Sequence, residues 1–224
     1  MVGPERVTNM LFRKFQLGDI PACARLAEEA WPASTSDSAK VIEHYGMEEY
    51  MEYALGSSNY AEIACTSEGM VGFLFGRIDG LPGIERPKRS MLGEVPGILR
   101  SLFAHRRLSL NMLSFVWSIL LTETKLKLRT PESDASVEMF IVGSEHRGKG
   151  VGSQLMTRFL KTAKDSGSKL VTLYTDSRMS NWQFYESRGF KRVGTFYDNI
   201  TSHYSGVDAE GIIYALDLVN EADQ

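Results

Sequence analysis

The chain has 224 residues, 43% of them hydrophobic and 24% charged, with a formal net charge of −3. That composition excludes a disordered or fibrous chain, and the acidic balance argues against nucleic acid as the main partner. Cys23 and Cys65 are too few for a disulfide framework and fit a reducing compartment, so a cytoplasmic protein is expected.

The opening Met1-Val2-Gly3-Pro4-Glu5-Arg6 leads into no apolar segment with a cleavage site. Leu108 to Leu121 is the most apolar stretch. Ser109, Asn111, Ser114 and Ser118 interrupt it, and it falls short of the roughly 20 apolar residues a span needs, so no stable membrane insertion is expected.

Leu11 to Phe15 alternates apolar and charged residues and predicts a first strand. Asp19 before Ile20-Pro21 predicts an N-cap with proline in the first turn, and Ile20, Cys23, Ala24, Ala27 and Ala30-Trp31 follow at helical spacing up to Pro32. Ser38 to Leu55 is helical again, broken at Gly46. Tyr60 to Thr66 and Met70 to Ile78 predict a hairpin turning at Ser67-Glu68-Gly69. Gly80 to Thr130 departs from this plan: prolines and glycines come first, then leucines at helical spacing between Leu99 and Leu128. The plan resumes with a strand at Val137 to Val142, a glycine-rich turn at Gly143 to Gly152, and a helix at Val151 to Ser166. The stripe Val151, Leu155, Phe159, Leu160 and Ala163 marks that helix's inner face. A strand at Leu170 to Tyr174 and a short helix at Asn181 to Arg188, closed by Gly189, come next. Strands at Lys191 to Tyr197 and Gly211 to Leu218 end the chain, joined by a polar loop containing His203. The length fits one domain over 1–224, with a helical insertion at 80–130.

Strand, glycine-rich turn and helix together suit an anion, because glycines admit it to backbone N–H groups and a helix start adds a favourable dipole. The P-loop pattern fits Gly143 through Lys149 but fails at Gly150, where a hydroxyl is needed. The dinucleotide pattern fits Gly148 and Gly150 but fails at Ser153. Arg147, Gly150 and Gly152 complete R-x-x-G-x-G. A tight strand–helix connection alone needs fewer glycines than this.

Val142, then Arg147-Gly148-Lys149-Gly150-Val151-Gly152 opening an amphipathic helix, resembles the acetyl-CoA-binding signature of the GCN5-related N-acetyltransferase (GNAT) family. Asn181-Trp182-Gln183-Phe184-Tyr185-Glu186-Ser187-Arg188-Gly189-Phe190 resembles a later helix of the same family, in the same order. The likeness is strong over Ser136 to Tyr197, weak over Leu11 to Ile78, and lacking over Gly80 to Thr130. It implies an α/β fold with a central, mostly antiparallel sheet and helices on both faces. It also implies an enzyme that moves the acetyl group of acetyl-CoA to a primary amine by direct attack in a ternary complex.

Under this resemblance, backbone N–H groups from Arg147 through Gly148, Lys149, Gly150, Val151 and Gly152 would hold the CoA pyrophosphate. Gly150 and Gly152 would keep that approach clear of side chains. Arg147 or Lys149 adds charge or is simply solvated, and Ser153 donates to a phosphate or caps the helix. Ile141 or Val142 would supply a backbone N–H that polarises the thioester carbonyl. Tyr185 would protonate the departing thiolate, or is a core tyrosine; Asn181 would contact the CoA arm, or caps its helix. Glu138 interrupts an apolar strand and is either the base that takes the amine's proton or a solvated strand end. His203 and Asp176 are weaker candidates for that base. His44, His105 and His146 lack ligand spacing, so no metal is expected.

Neither cysteine lies near either block, which argues against a covalent acyl-enzyme. The acceptor stays open between a small-molecule amine and a peptide N-terminus. Two alternatives also stay open: a non-catalytic acyl-CoA-binding module, and a transferase for another acyl-CoA donor. The insertion reads as extra packing, as a lid over the acceptor, or as a homodimer interface.

Overall fold

The computed structural model describes residues 10–31, 47–84, 110–178 and 180–219. Among them lie β1 (Leu11–Lys14), α1 (Ile20–Ala30), α2 (Met47–Gly56), β2 (Tyr60–Thr66), β3 (Gly69–Ile78), α3 (Leu110–Arg129) and β4 (Ala135–Val142). Then come α4 (Val151–Asp165), β5 (Leu170–Asp176), α5 (Trp182–Glu186), β6 (Lys191–Tyr197), α6 (Asn199–Ser205) and β7 (Glu210–Asp217). The strands form one sheet in the order β1-β2-β3-β4-β5-β7-β6. Among the described strands only β4 and β5 pair in parallel, so the expected α/β architecture with a mostly antiparallel sheet is what the chain adopts.

Each face of the sheet has its own core. Leu155, Met156 and Phe159 of α4 pack on Leu74, Val137, Val171 and Leu173, all buried. On the other face, Cys23 and Ala27 of α1 and Met51 and Leu55 of α2 pack on Ile63, Phe73, Phe75, Met139 and Ile141. Close approach of α4 explains Gly76: a β-carbon there would sit 2.6 Å from the Phe159 ring.

The feature that shapes the site is a bulge in β4. Phe75 faces Met139 and Gly76 faces Val137, which leaves Glu138 as the extra residue. A bulge shifts the two-residue alternation of a strand by one. Ala135 and Val137 therefore point towards α4, while Met139 and Ile141 point towards α1 and α2. The charge that interrupts this apolar strand sits where the ladder itself is interrupted.

Two local outcomes differ from the sequence reading. Asp19 does not cap α1. Its carboxylate takes a bidentate pair from Arg13, both bonds 2.7 Å, and the N–H of Gln16 at 2.8 Å. The polar loop before β7 holds α6, whose start is capped by the Asp198 carboxylate through the N–H groups of Ile200 and Thr201. That helix has no apolar stripe to announce it. The described part of the insertion includes one helix, α3. It lies along β6 and α6: Lys125 donates to the Tyr197 carbonyl at 3.0 Å and to Asn199 at 2.6 Å, and Thr122 accepts from the N–H groups of Asn199 and Ile200. The helix expected between Ser38 and Gly46, the insertion from 85 to 109, and His44 and His105 lie outside the described residues.

Candidate active site

The glycine-rich turn is pinned at its start and open at its end. The Gly143 N–H donates to the Val71 carbonyl at 2.9 Å, continuing the β3–β4 ladder for one more bond. The Ser144 N–H donates to Glu29 at the end of α1, 2.7 Å away, and this bond draws the Glu29 carboxyl below the usual carboxylate range. Gly148 and Gly150 then adopt left-handed φ values of 73° and 82°, which only glycine takes without strain. The helix α4 begins, and its first intrahelical bond runs from the Gln154 N–H to the Gly150 carbonyl at 3.0 Å. Among the described residues, the N–H groups of 148 to 153 have no hydrogen-bond partner and no side chain caps the helix. Orphan donors at a helix start, summed with the helix dipole, make a cradle for an anion.

Side chains around the cradle divide by role. Arg147 is exposed but folds back, its Nε donating to the Val142 carbonyl at 3.0 Å. Lys149 is exposed. Gly150 has open space where a β-carbon would go, so backbone conformation rather than steric clearance within the protein requires glycine there. Gly152 is different: a β-carbon would lie 3.0 Å from the Phe140 ring. Ser153 is the third helical residue, and with Gly150 at the cap position its hydroxyl makes no capping bond.

Beside the cradle the sheet opens. The parallel pairing of β4 and β5 runs only from Ala135↔Val171 to Val137↔Leu173, although β4 continues to Val142 and β5 to Asp176. The bulge at Glu138 turns β4 away, and the two strands diverge into a wedge. Backbone groups alternate in direction along a strand. Gly143 and hence Ile141 turn theirs to β3, whereas Val142 turns its own to the open side, where Arg147 meets its carbonyl. The Ile141 side chain is buried core, 4% exposed.

On the α4 side of the wedge stands α5. Tyr185 packs among the rings of Phe184, Phe190 and Tyr214, centroids 5.6 to 6.1 Å away. Its hydroxyl makes no hydrogen bond among the described residues. Burial, then the nearby Asp176 and Tyr214, push the phenol well above its ordinary value, so it stays protonated. Asn181 occupies the cap position of α5, but its side chain makes no capping bond and is exposed.

The opposite side of the wedge carries Glu138. It is exposed at the surface, yet protein crowds its carboxyl from one side. Burial raises its pKa against the pull of the Ser136 hydroxyl, which donates to it, and of Arg77. Glu123 of α3 is raised too, by burial and then by the Glu138 charge, which brings the insertion helix into the same electrostatic neighbourhood. Burial, Glu123 and Asp198 push the Tyr50 phenol of α2 up to about 12. Asp176 ends β5 and accepts the Arg178 N–H at 2.8 Å, while the side chain of His203 lies outside the described residues. Among the described residues no group of three or more His, Cys, Asp or Glu is placed to hold a metal ion.

Sequence reasoning missed Glu29 and Glu123. Only long-range packing brings both to the site.

Among the described strands the sheet is mostly antiparallel and opens beyond its parallel pair, beside an uncapped helix start. Residues 112–190 match the model of the Acetyltransferase (GNAT) family. N-acetyltransferase family 8 member 2 of Rattus norvegicus is 31% identical over 81 residues, a match spanning 36% of this chain and 36% of that protein. Among solved structures, the ribosomal-protein-S18-alanine N-acetyltransferase of Escherichia coli aligns over 93% of this chain and 94% of its own, at 13% identity and a TM-score of 0.55. Ard1 from Thermoplasma volcanium aligns over 93% and 97%, at 16% identity and a TM-score of 0.51. The chain therefore has the GNAT fold, and its glycine-rich turn and Tyr185 helix fall inside the stretch that matches the family.

Proposed function

We propose that this protein transfers the acetyl group of acetyl-CoA to a primary amine by direct attack in a ternary complex, and that it works as one domain with an insertion at 80–130. The observation that carries this reading is the row of unpartnered N–H groups at 148 to 153, next to a wedge between β4 and β5. A pyrophosphate satisfies that row, and the arm beyond it leads into the wedge. Arg147 and Lys149 add positive charge, and Asn181 contacts the arm. Of Ile141 and Val142, Val142 has its N–H on the open side and is the donor to the thioester oxygen, where negative charge develops during attack.

The chemistry needs two proton transfers. The acceptor arrives as an ammonium and gives one proton to Glu138, whose raised pKa suits a base near neutral pH. The freed nitrogen lone pair forms the C–N bond, the C–S bond breaks, and Tyr185 protonates the thiolate. Tyr185 is resupplied with the second proton that the nitrogen sheds. Glu138 and Tyr185 face the wedge from opposite sides of the sheet, which separates deprotonation from leaving-group protonation. Helix α3, through Glu123, walls the acceptor side. The acceptor is a small-molecule amine or a peptide N-terminus.

Calorimetry with acetyl-CoA, followed by thiol release over an amine panel, tests this. Binding with amine-dependent thiol release is expected. Binding without release for every amine makes the protein an acyl-CoA-binding module, tighter binding of a longer acyl-CoA points to another donor, and no CoA binding removes the cradle reading.

A further inference from the structure

Glu138 is the one residue between Ala135 and Val142 that pairs with neither neighbouring strand. The bulge skips it on the β3 side, and pairing with β5 stops at Val137. It is also exposed. Strand pairing therefore does not fix where its side chain points, and a glutamate has three rotatable bonds before its carboxylate. A base in that position needs something else to aim it.

Ser136 supplies the aim. It sits in a row closed on both sides, opposite Arg77 of β3 and Thr172 of β5. Val137 faces α4, so Ser136 faces the other way, as Glu138 does. The other polar side chains of that row have partners of their own. Arg77 binds the Asp79 carboxylate and, at 2.7 Å, the Ser133 carbonyl. Thr172 is 2% exposed and shares a hydrogen bond of 2.8 Å with the Ser133 hydroxyl. The Ser136 hydroxyl donates to Oε1 of Glu138. Among the described residues it is the only hydrogen-bond donor to that carboxylate, and Oε2 is left without one.

Resting on the acetyl-transfer reading above, we propose that Ser136 is the positioning residue of the base: it holds one carboxylate oxygen of Glu138 and so presents the other to the acceptor ammonium. The proton moves from nitrogen to Oε2. Ser136 keeps its own proton throughout, donating to Oε1 of the carboxylate before the transfer and of the carboxylic acid after it. The bond is stronger to the charged form, so it opposes protonation. The charged groups around the carboxyl are Arg77 from β3, which pulls the same way, and Glu123 from α3, whose pKa the Glu138 charge raises. From β5 comes only the uncharged Thr172.

Ser136→Ala removes the hydroxyl and leaves the carboxylate. With the most active amine of the panel above, kcat should fall by about three- to tenfold. The acidic limb of the pH–rate profile should move to higher pH, and acetyl-CoA affinity should stay as it is. Ser136→Thr keeps a hydroxyl on a frame that a strand accepts, and should restore both rate and limb. Glu138→Gln separates positioning from a structural role. It should lack the limb, and adding Ser136→Ala to it should slow the enzyme no further, because Ser136 acts only through Glu138. Melting of every variant checks that it folds. An unchanged kcat and limb in Ser136→Ala overturns the proposal, as does an equal further loss when Ser136→Ala is added to Glu138→Gln. A limb that survives Glu138→Gln overturns the reading of Glu138 as the base, and the proposal with it.

Discussion

Gly150→Ala separates two reasons for a glycine in the cradle. If clearance for the ligand were the reason, the added methyl would obstruct the pyrophosphate. The structure supplies another reason: φ at this residue is 82°, and a β-carbon would meet no protein atom within 4 Å. An alanine held in the left-handed region costs about 1–2 kcal/mol. The turn either keeps its shape or relaxes. In the first case stability falls by that amount, a drop of about 2–8 °C in melting temperature at about 2–4 °C per kcal/mol for a chain of this size. In the second, the donors at 148 to 153 are re-aimed and acetyl-CoA affinity falls, by no more than about 30-fold for the same energy. Thermal melting and calorimetry on the same variant measure both. Unchanged stability with unchanged affinity refutes the claim that this backbone conformation builds the cradle. A loss of affinity well beyond 30-fold at unchanged stability means that the methyl strikes the ligand, and clearance was the reason after all.

Glu138→Gln should remove the acidic limb of the pH–rate profile, a limb placed above the ordinary glutamate range by the raised pKa. The same shift has a stability consequence. The folded protein keeps a proton that the unfolded chain has lost, so stability falls as pH rises from the ordinary value to the raised one. Melting should therefore show Glu138→Gln gaining on the wild type at neutral pH, with no gain at pH below the ordinary glutamate value. Tyr185→Phe should slow thiol release by about 100-fold or more with acetyl-CoA affinity intact; an unchanged rate would leave the thiolate without its proposed acid. Away from the wedge, Glu62 is 8% exposed and accepts Tyr60 at 2.5 Å and Arg158 at 2.6 Å. Chemical denaturation should show Glu62→Ala losing about 2–4 kcal/mol, since Tyr60 is left without its acceptor. Arg158→Ala, at the half-exposed end of the pair, should lose about 1 kcal/mol or less.

Much of the glycine-rich turn and its flanking helices was legible in the chain. The stripe of α4, the glycines ahead of it and the Tyr185 helix are local patterns, and each follows from neighbours in sequence. The α6 helix was not legible, because its stability comes from the Asp198 cap and from Thr122 and Lys125 of a distant helix. Asp19 misled for a related reason. A carboxylate at a helix start has a local use, but Arg13 on the neighbouring strand offered a stronger one.

The sequence by itself determined the strand–turn–helix with its glycines, since φ angles and helix starts depend on a few adjacent residues. It also singled out Glu138 as a charge in an apolar strand. Why that charge is tolerated, and what it faces, was decided in three dimensions. The bulge that frees Glu138 exists only relative to β3, and the wedge only relative to β5. Glu123 comes to the electrostatic neighbourhood of Glu138 from a distant segment, because tertiary packing fixes where α3 lies. Pairing register and packing are relations between distant residues, and no local pattern in the chain encodes them.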